Sequence, residues 1–163
     1  MTEATGVLVS YLPAIMASLH HMAAFTLVGA LAAEVAIFKP PLTVSQARRL
    51  QITDLIFGAA AGVLLVVGLT RVVYFEKGPA YYFANIFFLL KLAAFIAAGL
   101  LSLYPTVLYL SWSRAIKAGE APQVSPERAR RARMCLMLEL TAILVILICA
   151  PLMARGHGYF GDS

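Results

Sequence analysis

Apolar residues along this chain run in long continuous blocks, separated by short clusters of proline, glycine and charged residues. Four blocks stand out: Ser10 to Phe38, Ile52 to Phe75, Tyr82 to Trp112 and Met134 to Met153. Each reaches the roughly 20 residues that a helix needs to cross a ~30 Å hydrocarbon layer. Barrel strands would be shorter and would alternate apolar with polar, so the pattern predicts an all-α integral membrane four-helix bundle, with residues 1–163 forming a single transmembrane domain. Lys39-Pro40-Pro41 stops the first helix, Gly78-Pro79 separates the second from the third, and Ser125-Pro126-Glu127 is a helix start. The first block is expected to be retained rather than cleaved, because Glu3 precedes it and no basic segment does. Gly58 and Gly62 form a small-xxx-small pattern that is expected to serve packing within the bundle.

Composition agrees with the pattern: of 163 residues, 61% are hydrophobic and only 13% charged. The net charge of +5 does not point to nucleic acid, because the basic residues lie in particular loops. Lys39, Arg48 and Arg49 are placed in the first loop, and Arg114, Lys117, Arg128, Arg130, Arg131 and Arg133 in a long third loop over 113–133. Basic loops stay cytoplasmic, so both termini are expected on the periplasmic side of a bacterial inner membrane. Cys135 and Cys149 share the fourth helix too far apart to bridge, and read as small apolar residues.

The chemistry lies in single ionisable residues at membrane depth, which are costly there and are read as functional. His20 and Lys91 fall near the middle of the first and third helices, each about 15 Å down by helical rise. Arg71 lies near the outer end of the second helix, about 9 Å above the His20 level. Such an offset suits a haem standing on edge, with iron at His20 and propionates toward Arg71. Tyr74, Tyr81 and Tyr82 either line that propionate end or form an aromatic belt. His21 points about 100° away from His20, and His20 is favoured as the inward residue because Glu34 returns to nearly its face. An interhelical hydrogen bond is the plainer role for that histidine. Glu34 and Asp54, near the inner ends of the first two helices, form either a proton path or an ion-pair rim with Arg48 and Arg49. Glu139 joins that path or pairs with Arg133.

The runs Ser18-Leu-His20-His21-Met-Ala-Ala-Phe, Ala47-Arg48-Arg49-Leu50 with Asp54, Gly68-Leu-Thr-Arg71, Phe88-Leu-Leu-Lys91-Leu92 and Ser102-Leu-Tyr-Pro105-Thr106 resemble a family of small bacterial four-span membrane proteins of unknown function. More distantly, the first-helix histidine, the Arg-Arg-Leu before the second helix and the Lys-Leu of the third are similar to the HemJ type of protoporphyrinogen oxidase and to the copper-resistance CopD membrane domain. That resemblance implies haem b with His20 and Lys91 as the catalytic pair; together with the depths it makes His20 the expected iron ligand, with His21, Arg71 and Lys91 expected around the cofactor. It further implies an oxidoreductase that dehydrogenates a porphyrinogen and passes electrons to a quinone-type acceptor. Leu89 stands where the HemJ group often has a histidine. Two other classes fit the polar residues: a metal-ion or proton transporter using His20, Lys91, Glu34 and Asp54 as a path, and a non-catalytic subunit of a homo-oligomer or larger membrane complex.

Overall fold

A threonine cap decides where the second helix begins. Thr43 accepts a hydrogen bond from the Gln46 backbone N–H at 3.2 Å, while Gln46 Oε1 accepts from the Thr43 N–H at 2.9 Å. This reciprocal capping box satisfies two backbone donors that a helix start otherwise leaves unpaired. Helix α2 therefore spans Val44–Tyr74, following α1 at Thr2–Ile37. Arg48 and Arg49 ride on its first turns, not in a loop as the apolar pattern alone suggested. The same correction applies at the fourth span. Ser125 caps α6 (Pro126–Ala154) by accepting from the Arg128 N–H, so Arg128 to Arg133 are helical and the long third loop shrinks. A short helix α5 (Ser113–Lys117) takes up its other end, directly after α4 (Ile86–Ser111). The third apolar block is also divided, because Tyr82 belongs to a short α3 (Pro79–Phe83) and Asn85 caps α4 afresh.

The computed structural model describes residues 2–161, with side chains from Ser10 onward. It is an all-α bundle in which four helices are long and apolar enough to cross a membrane. Helix α1 packs along α2 and α4 along α6; the two pairs meet along a narrower seam made by α1 with α6 and α2 with α4. One end of the bundle holds the α1–α2 turn, α5 and the starts of α2 and α6, with most of the basic residues; we call it the basic end. The other holds the α2–α4 connection and the C-terminal tail.

Packing is uneven along the seam. The apolar core runs through Leu27, Leu31, Phe38, Leu50, Phe57, Leu108, Tyr109 and Leu136, all in the half nearer the basic end. In the other half, no α1 residue from Ser10 to Met22 and no α2 residue from Ala61 to Tyr74 is fully buried. Gly58 and Gly62 meet nothing within 4 Å, so this small-residue pair faces outward and does not serve internal packing. It lies on the flank of the Leu50–Asp54–Phe57 stripe that α2 buries.

The tail is strapped across the far end. Asn85 Nδ2 donates to the His157 carbonyl at 2.9 Å, the Ile86 N–H donates to the Gly158 carbonyl at 2.9 Å, and Tyr159 stacks on Tyr81 at 4.9 Å. Gly158 is required in this strap: its φ is +74°, and a Cβ there would lie 2.5 Å from Ile86 Cγ2.

Candidate functional site

In the loosely packed half, His20 of α1 lies against Gly68 of α2. A Cβ at Gly68 would come within 3.2 Å of His20 Cε1, so glycine is what lets the imidazole settle on the α2 backbone. His20 is level with Gly68, three residues short of Arg71, and the rise between the histidine and arginine levels is about 4.5 Å rather than the expected 9 Å. The expectation counted depth from Ser10, whereas α1 begins at Thr2 and is not fixed at that residue.

His20 is an electrostatic neighbour of Arg71, Lys91 and His21, and Lys91 is in turn a neighbour of Arg71, Glu76 and Cys149. Three helices thus bring imidazole, guanidinium and ammonium together. The pairing within this group is incomplete. His20 Nδ1 is buried with no hydrogen-bond partner among the described residues. The Lys91 Nζ lies 5.6 Å from the Phe88 ring centroid and makes no ion pair among the described residues. Arg71, by contrast, donates to Glu76 Oε1 at 2.6 Å. Tyr82 donates to the other oxygen of the same carboxylate at 3.3 Å, so Glu76 links the arginine to the buried phenol of α3. Burial, reinforced by Glu76, pushes the Tyr82 phenol up to about 12. Tyr74 is exposed, as a residue of an aromatic belt would be. His21 is exposed too, its ring edge-on to His20 at 6.3 Å.

The acidic residues gather separately, in the tightly packed half. Glu34, Asp54 and Glu139 are all buried and are electrostatic neighbours of one another. The ion-pair alternatives do not form: among the described residues the salt bridges are Arg71–Glu76 and Arg131–Glu127, and neither Arg48, Arg49 nor Arg133 reaches the cluster. Thr106 Oγ1 donates to Asp54 Oδ1 at 2.7 Å. Tyr109 stands among the three carboxyl groups, 0% exposed.

A family model described as "Predicted membrane protein (DUF2214)" matches residues 12–158, a stretch that holds all these side chains. The chain belongs to that family. No curated protein and no solved structure matches it. Among the described residues, no three His, Cys, Asp or Glu side chains are arranged to hold a metal ion.

Within this family member, the sequence alone assigned no site role to Glu76, Thr106 or Tyr109. Glu76 follows Arg71 by little more than one helical turn, a spacing that could have marked it as a partner. Thr106 and Tyr109 lie within an apolar span, and their position opposite Asp54 depends on how α2 and α4 cross.

Proposed function

We propose that this protein binds a porphyrin-type cofactor, b-type haem being the form that suits a histidine, in the half of the bundle where the helix pairs are loosely packed. The observation that carries this reading is the convergence of His20, Arg71 and Lys91 with their polar atoms only partly used. The donor set fits a carboxylate-bearing macrocycle. Arg71 already holds one carboxylate, that of Glu76, at 2.6 Å, and a propionate would take that place. Lys91 would supply a second cation to the same edge. With Nδ1 of His20 turned toward Gly68, Nε2 is the nitrogen left for iron. The half-buried apolar residues Met16 and Ala17 of α1 and Leu64 and Val67 of α2 would cover the macrocycle's faces.

When bound, haem supplies one-electron redox chemistry. The chain's own groups would orient the ligand and handle protons: Lys91, half-buried and unpaired, is the candidate for accepting one from a bound substrate. The finer reading is an oxidoreductase acting on a porphyrinogen, with a quinone-type acceptor, in a bacterial inner membrane with the basic end facing the cytoplasm.

Purified full-length protein from haem-sufficient cells tests this. A Soret band that shifts on dithionite reduction, is lost in His20→Ala and is retained in His21→Ala supports the reading. Colourless protein, or an unchanged band in His20→Ala, overturns it.

A further inference from the structure

The second polar site lies deeper in the seam and every helix pair contributes to it. Glu34 of α1 is 2% exposed, Glu139 of α6 1% and Asp54 of α2 9%. From α4, Tyr109 projects into the same place with its hydroxyl buried and without a hydrogen-bond partner among the described residues; one oxygen of Glu34 and one of Glu139 are likewise buried and unpartnered there. Thr106 satisfies Asp54 alone. Among the described residues the Cys135 thiol is a further titratable neighbour of Glu139, and Arg131, an electrostatic neighbour of that thiol, is exposed on α6.

Three anions cannot stand together here without compensation. Burying one ionised carboxylate is already costly, and like charges at close range raise that cost further. Among the described residues no basic side chain pairs with any of them. Nor do the carboxyl groups form a metal-holding arrangement among the described residues. What remains is hydrogen: a carboxylic acid donates as well as accepts, and a phenol between carboxyl groups can pass a proton from one to another.

We propose that Glu34, Asp54 and Glu139, joined by Tyr109, form a proton-holding site within the membrane that is reached from the basic end past Phe38. A cavity of about 650 Å³ opens at that end, lined by Phe38, Pro41, Pro122, Arg130 and Arg133. Its wall at Phe38 packs against the Tyr109 ring, with centroids 5.9 Å apart. Phe38 therefore separates the arginine-lined cavity from the carboxyl cluster, and its displacement exposes the cluster to water. The site is distinct from the His20 group and stands whether or not that group binds a porphyrin.

Infrared titration of the full-length protein in lipid nanodiscs tests the proposal. Carbonyl bands of protonated carboxylic acids in an apolar setting are expected, shifted in D2O, with one component lost in Glu34→Gln and another in Glu139→Gln. The unmodified protein provides a control independent of folding: dicyclohexylcarbodiimide, which attacks protonated carboxyl groups in apolar surroundings, should label Glu34 or Glu139, several-fold more slowly as the pH rises. Absence of both the bands and the labelling overturns the proposal. Protection from labelling by calcium or manganese at constant pH also overturns it, by assigning the site to a metal.

Discussion

Thr106 on α4 donates a 2.7 Å hydrogen bond to Asp54 on α2, and this bond ties the two helix pairs together beside the carboxyl cluster. A buried carboxyl oxygen left without its donor costs stability, and interhelical hydrogen bonds in membranes are worth about 1 kcal/mol. Thr106→Val keeps the side-chain shape and removes the donor. It is expected to lower the unfolding free energy in mild detergent by about 1 kcal/mol, and an unchanged value would show that the bond contributes nothing.

Phe38 bears on how the cluster communicates with the basic end. Its ring is 2% exposed and packs on Tyr109. Phe38→Ala opens a path from the arginine-lined cavity, so carbodiimide labelling of the cluster by a water-soluble reagent should rise several-fold. Loss of the buried aromatic would also destabilise the fold by about 3–5 kcal/mol, so the labelling is read on protein whose helicity by circular dichroism matches the unmodified chain. Equal labelling rates in the two proteins would place the access route elsewhere.

Alkaline stability reports on the Tyr82–Glu76 contact. The folded phenol is raised from 10.0 to about 12, first by burial and then by the nearby carboxylate. An acid that holds its proton more tightly when folded contributes no pH dependence below its unfolded value. Between 10 and about 12 the unfolded chain releases the proton first, so stability falls as pH rises across that window. Tyr82→Phe should flatten this part of the stability profile, and parallel profiles for the two proteins would contradict the assigned contact.

Long apolar blocks made the four spans legible, because a bilayer demands a minimum helix length and little else. Helix starts were harder, since they depend on caps: Thr43–Gln46 was a readable signal, and overlooking it placed Arg48 and Arg49 in a loop. Ser125 was recognised as a start, yet the apolar count still began the span at Met134, eight residues late. Depth arithmetic put His20 and Lys91 at one level, and the two are electrostatic neighbours, but it set Arg71 too far from them because α1 is not anchored at Ser10. It could not show which neighbours complete a site. Glu76 lies beyond the end of α2, and Tyr109 meets the three carboxyl groups only through the way four helices cross.

Haemin titration into colourless protein prepared from haem-depleted cells tests most directly whether His20, Arg71 and Lys91 form one porphyrin site. A saturable Soret shift is predicted at one haemin per chain, weakened at least tenfold by His20→Ala and, to a lesser degree, by Arg71→Gln and Lys91→Gln. The Gly68→Leu variant, which fills the contact beneath the imidazole, should abolish it. Haemin uptake that is non-saturable, or equal in all four variants and the unmodified protein, would contradict the account.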